Sequence, residues 1–187
     1  MLWFYNGTAH LIKKNNAKAV KSLEYGKKLA ADNAELQNQF NMQLGDTYQS
    51  MKEYAKSEAA YESVLALDPN NAHVLNNYSY YLSLRNTNLE KAKNMADRLV
   101  KQNPKDATYL DTYAWVLYKL KDYQGAKKHL EAAVALKKDA DILEHYGDVL
   151  YQLGDKDEAV QQWLKAKQAG AGSEFIDRKI KEKKLYE

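Results

Sequence analysis

The stretch YGDVLYQLGDKDEAVQQW, residues 146–163, is built mostly of helix formers, yet Gly147 stands inside its first apolar run. A glycine in that place costs about 1 kcal/mol relative to alanine. Around it, Asp141, Glu144, His145 and Asp148 fall at the helical spacings i, i+3, i+4 and i+7, a pattern able to build a metal site. Chemistry and packing are therefore the two explanations for the glycine. A second stretch separates them. LGDTYQSMKEYAKSEAAY, residues 44–61, repeats the Gly-Asp pair, with an aromatic or leucine three residues after the glycine, a small residue twelve after it and an aromatic four beyond that.

The same frame occurs five times. Its first small residue is Gly7, Gly45, Ser79, Ala114 and Gly147, at separations of 38, 34, 35 and 33. Its second is Ala19, Ser57, Ala92, Ala126 and Ala159, at offsets of 12, 12, 13, 12 and 12, the odd value reflecting an insertion near Asn88. Pro69 and Pro104 follow the second half of their units, where a helix has to stop. Such self-similarity denotes a stacked repeat architecture. Two antiparallel helices approach closely only where the crossing side chains are small, so Gly147 and Ala159 read as a crossing point, with Tyr146, Leu150 and Trp163 packed around it. Short polar breaks separate the two helices of each unit, at KNN (14–16), MKE (51–53), RNTN (85–88), KD (121–122) and GDKD (154–157). In the last, Gly154 can take positive φ, and Asp155 with Glu158 fits a capping box.

Trp3 and Gly7 in the first unit, Leu44, Gly45, Tyr48, Tyr61 and Pro69 in the second, Ser79, Leu82, Ala92 and Pro104 in the third, Ala114, Leu117, Ala126 and Ala133 in the fourth, and Tyr146, Gly147, Leu150, Ala159, Trp163 and Ala166 in the fifth together resemble the tetratricopeptide repeat, W-x2-L-G-x2-Y…A-x3-F…P. The resemblance implies an all-α, right-handed superhelical solenoid, a single array of units at about 1–37, 38–71, 72–106, 107–139 and 140–172. A capping helix over 173–187 closes it: Ser173 is its N-cap, Phe175, Ile176, Ile180 and Leu185 face the preceding unit, and the charged residues from Asp177 to Lys184 face water. The strings NNYSYYLS, LDTYAWVLYKL and EHYGDVLYQLGDKDEAVQQW resemble a subset of bacterial cell-envelope tetratricopeptide proteins, many of them lipoproteins. That likeness favours the envelope over the cytoplasm.

Composition is consistent with this. The chain has 187 residues, 45% hydrophobic and 28% charged, with only 2 prolines and 8 glycines, against a loop-rich or all-β protein. The absence of cysteine excludes disulfides, thiolate metal sites and cysteine nucleophiles. A net charge of +3 is far from the footprint of a nucleic-acid binder. No apolar run approaches a membrane span. The opening MLWFYNGTAHLIKK is too aromatic for a secretory leader and starts as if inside a helix, as expected of an excerpt from a longer chain.

In the resembled family the first helices line a concave groove, and helical spacing projects three rows onto it. Three residues before the small residue stand Phe4, Met42, Asn76, Asp111 and Glu144; one after it, Thr8, Asp46, Tyr80, Trp115 and Asp148; four after it, Leu11, Gln49, Ser83, Tyr118 and Tyr151. These rows hold no lysine or arginine. The expected binding face is Asp46, Asn76, Tyr80, Asp111, Trp115, Tyr118, Glu144, Asp148 and Tyr151, acidic and aromatic. That excludes the family's clamp for a C-terminal carboxylate and suits a basic or aromatic-bearing segment of a partner protein. The alternative is that the aromatics pack on neighbouring helices and the acids are solvated. Phosphates would be repelled, so nucleic acid is not the expected partner. No Ser-His-Asp arrangement, nucleophile elbow or phosphate-binding glycine loop occurs, and no metal or cofactor site is expected. The function implied is a non-catalytic interaction scaffold; a self-association or regulatory segment of a longer envelope protein or enzyme stays open beside it.

Overall fold

The computed structural model describes residues 1–170 and 173–186. It is all-α, with eleven helices and no strand among the described residues: α1 (Leu2–Ile12), α2 (Asn16–Leu29), α3 (Ala34–Ser50), α4 (Tyr54–Leu67), α5 (Ala72–Leu84), α6 (Leu89–Gln102), α7 (Ala107–Lys119), α8 (Tyr123–Leu136), α9 (Ala140–Gln152), α10 (Lys156–Gln168) and α11 (Ile176–Glu182). Packing divides the chain into two compact units, Met1–Tyr81 and Leu82–Glu187.

Within each hairpin the first helix ends in the same way. Gly154 has φ +93°, its amide donates to the Tyr151 carbonyl, and the next amide, of Asp155, donates to Leu150. This is the Schellman arrangement, which satisfies carbonyls left open at a helix end. Lys14, Lys52, Asn86 and Lys121 take the corresponding place in the other hairpins, at φ +53°, +61°, +52° and +64°. An L-residue is disfavoured there, whereas glycine adopts the conformation freely. Lys52→Gly and Lys121→Gly are therefore each expected to stabilise the fold, by about 0.5–1 kcal/mol, readable as a higher midpoint in urea. In the third connection Asn88 also has positive φ, which accommodates the inserted residue. Asp155 stands before α10, but its side chain makes no capping bond. The expected capping box does not form: Asp155 reaches Lys127 (3.6 Å), and Glu158 accepts instead from Gln162 one turn on (2.7 Å).

The small residues lie where helices cross. A Cβ on Gly45 would stand 2.4 Å from the Tyr61 ring, and the Ser57 hydroxyl donates to the Gly45 carbonyl (2.8 Å) across the crossing. On Gly147 a Cβ would meet Trp163 at 2.4 Å and the Ala159 carbonyl oxygen at 3.0 Å; on Gly7 it would meet Leu23 at 2.6 Å. Leu23, Tyr61 and Trp163 each follow their glycine by sixteen residues and are fully buried. Ala19, Ser57, Ser79, Ala92, Ala114, Ala126 and Ala159 are buried as well. The helices before Pro69 and Pro104 end at Asp68 and Asn103, which leave the helical conformation as residues before proline must.

Candidate functional site

The rows projected onto the first helices meet the following first helix. In the N-terminal unit, Thr8 accepts from Gln43 (2.9 Å). Asp46 accepts from Asn77 (3.0 Å) and from the Tyr61 hydroxyl (2.5 Å), and lies 2.8 Å from His73. Burial pushes the Asp46 carboxyl up, but its bonds to His73, Tyr61 and Asn77 outweigh that and hold it below the usual carboxylate range. Asn76 donates to Asn77 (3.1 Å), while its own carbonyl oxygen is buried with no partner. Tyr80 is half-buried, its ring 6.0 Å from that of Tyr81.

In the C-terminal unit Asp111 of α7 lies 2.8 Å from Nδ1 of His145 on α9. The Trp115 ring stacks on His145 at 4.1 Å and on Tyr118 at 4.8 Å. Trp115 is only 7% exposed and Tyr118 is buried, so neither is an open platform. Tyr151 is half-buried against Trp163, with Lys156 above its ring at 5.4 Å. Asp111 and Trp115 thus meet at His145, with Tyr118 stacked on Trp115, and His145 is a residue the three rows do not include.

Glu144 and Asp148 form a second constellation, and its occupant corrects an expectation. Lys179 of α11 does not face water: it is 3% exposed. Its ammonium donates to Glu144 (2.7 Å) and to both oxygens of Asp148 (2.8 Å each). Ser173 adds its amide and hydroxyl to Glu144 (2.6 and 2.5 Å), and Trp163 Nε1 donates to Asp148 (2.8 Å). Ser173 also accepts from the Phe175 amide (3.2 Å), although α11 starts only at Ile176. Ile176, Ile180 and Leu185 pack against the cluster of Leu150, Ala159 and Trp163. Burial pushes Glu144 up, but Lys179 and Ser173 more than reverse this and leave it lowered. Asp148 is raised to about 6, because burial exceeds what Lys179 and Trp163 return.

The spacing explains why Lys179 belongs there. His145 follows Asp111 by 34 residues, Lys179 follows His145 by 34, and Ile176 follows Ile142 by 34. Helix α11 therefore stands in the place of a sixth first helix. Its lysine meets Glu144 and Asp148 as His145 meets Asp111 and Trp115. That interval was the available signal for Lys179; the surrounding charges concealed it. The four residues once eligible for a metal do not converge, since Glu144 and Asp148 turn to Lys179 and His145 turns to Asp111. Among the described residues no cluster of three or more histidine or carboxylate side chains could hold a metal ion.

Burial alone would lower the His145 pKa, but the Asp111 carboxylate outweighs it and holds the imidazole above its ordinary 6.5. His145 and Asp148 thus both bind a proton more tightly folded than unfolded, so their contributions to stability rise as pH falls through the folded values. Glu144, being lowered, loses its contribution only at more acidic pH. Unfolding is expected to take more urea at about pH 6 than at about pH 8, and Asp111→Asn should flatten the difference.

Antiparallel hairpins of about 34 residues, crossing at small side chains and joined first helix to first helix, define a helical-repeat protein. The chain belongs to the tetratricopeptide repeat family: models of that repeat match residues 39–71, 81–136 and 112–174. Among solved structures it is similar to PilW, a widely conserved type IV pilus biogenesis factor, with 15% identity, TM-score 0.83, and 97% of this chain and 84% of that one covered. It is also similar to PilF of Pseudomonas aeruginosa (19%, TM-score 0.78, 97% and 85% covered). A third such structure is MamA, residues 41 to the end, of Desulfovibrio magneticus RS-1 (16%, TM-score 0.77, 90% and 93% covered). No curated protein sequence matches it. The tetratricopeptide fold is that of a protein-interaction scaffold. No helix among the described residues is long and apolar enough to cross a membrane.

Proposed function

We propose that the chain is a non-catalytic scaffold whose first helices receive a basic segment of a partner protein. The supporting observation is Lys179: the chain seats its own lysine between Glu144 and Asp148, which supports a preference for cations at the corresponding positions. Each unit by itself offers such positions on its first helices: Asp46, Asn76 and Tyr80 in one, Asp111 and Tyr151 in the other, are at least partly open to a segment arriving from outside. Buried Trp115 and Tyr118 support that face from beneath. The likeness to PilW and PilF agrees with a role at the bacterial envelope, where assemblies such as pili are built. The test is a titration of the wild-type chain with lysine-rich and glutamate-rich peptides of equal length, followed by tryptophan fluorescence. Binding of the basic peptide, weakened by salt, is expected. Preference for the acidic peptide would overturn the reading.

A further inference from the structure

Three first helices carry a tyrosine immediately before their small residue: Tyr78, Tyr113 and Tyr146. Each donates its hydroxyl to a carboxylate on the second helix of the preceding hairpin, Glu62 (2.9 Å), Asp97 (3.4 Å) and Glu131 (3.2 Å). Those carboxylates share one place in the repeat, five residues after the second small residue. Between the first two hairpins the carboxylate is kept, as Glu24, but Leu44 stands where the tyrosine would. The Tyr48 hydroxyl, one turn on, donates to Glu24 instead. Beside Leu44 lies a cavity of about 630 Å³, walled by α2, α3 and α4 within the first compact unit. Its α4 wall is made of small residues. Ala59 and Ser63 stand where α6 carries Asn94 and Arg98, and α10 carries Gln161 and Lys165. Its charge is positive. Lys27 and Lys28 line it from the face of α2 that carries Glu24, and Lys56 of α4 lies 5.3 Å from the centre of the Tyr48 ring.

We infer that this cavity receives a tyrosine side chain from an acidic segment of a partner protein. The ring takes the place that the chain's own tyrosines fill in the later repeats, against Leu44, Ala59 and Ala60. Its hydroxyl donates to Glu24, which has a second oxygen besides the one bonded to Tyr48. Carboxylates flanking the ring meet Lys27, Lys28 and Lys56. The volume is that of a small-ligand site and exceeds what one phenol fills, which leaves room for the segment's backbone. Charge decides the kind of segment: a lysine-bearing one would be repelled here.

The test is fluorescence anisotropy of a labelled pentapeptide, one tyrosine with two acidic residues on either side, added to the full chain. The same peptide with alanine in place of tyrosine is the comparison. The tyrosine peptide is expected to bind at least about tenfold more tightly than the alanine peptide. Leu44→Tyr restores the ring of the other repeats, and Ala59→Trp blocks the cavity from an exposed position that leaves the core intact. Each should weaken the tyrosine peptide about tenfold or more, and Lys27→Ala/Lys28→Ala should weaken it about fivefold. Equal binding of the two peptides would overturn the inference, as would binding untouched by Ala59→Trp or no binding of either peptide. None of the residues lining the cavity belongs to the acidic rows, so the lysine-rich peptide tests the scaffold reading separately.

Discussion

Lys179→Met is expected to lower stability by about 3–5 kcal/mol, because Glu144 and Asp148 would then share a buried site with no cation. For a chain of this size that is a fall of about 6–20 °C in the melting temperature. Detachment of α11, which would rehydrate the two carboxylates, sets the limit on the loss. The effect belongs to the uncompensated charges rather than to the missing stem, and this can be separated. In Glu144→Gln/Asp148→Asn/Lys179→Met nothing charged is left to bury, and most of the loss should return. A Lys179→Met chain that melts with the wild type would show that the ion cluster contributes nothing.

Gly147→Leu should be comparably damaging. Even a single Cβ at Gly147 would lie 2.4 Å from Trp163 Cδ1, 2.5 Å from its Nε1 and 3.0 Å from the Ala159 carbonyl oxygen. The indole can move only by leaving Asp148, and the Ala159 backbone has no rotamer to change. Overpacking of this kind costs about 1–3 kcal/mol and occasionally more, and the leucine should reach the upper end. Gly147→Ala is the finer test: it recovers about 1 kcal/mol of helix propensity yet should still melt below wild type. Because Trp163 donates to Asp148, Gly147→Leu and Lys179→Met should not be additive. Thermal midpoints of the two single variants and the double variant check this; a leucine variant as stable as wild type would remove the packing role of the glycine.

The repeat was legible because its signals are local. Gly45 with Ser57, and Gly147 with Ala159, mark crossings through residue size alone, and Gly154 marks a left-handed turn that glycine favours. Lys52 and Lys121 make the same turn, but lysine carries no preference for it, so composition could not reveal them. The interaction face was legible as rows and not as contacts. Asp46, Asp111, Glu144 and Asp148 were identified as acids on the first helices, but their partners Asn77, His145 and Lys179 lie 31 to 35 residues away on the next first helix. A charge-rich stretch such as DRKIKEKK ordinarily faces water, which hid Lys179; only its 34-residue interval from His145 betrays it.

The central claim is that α11 is a docked sixth first helix, held by Lys179 in an acidic seat. Amide hydrogen exchange over residues 176–182 tests it most directly. In the wild-type chain these amides are expected to be protected well beyond a free two-turn helix, which is unstable alone in water. Lys179→Met should remove that protection while α3 and α4 keep theirs. Exchange of α11 at the rate of an unstructured peptide in the wild type would contradict the account.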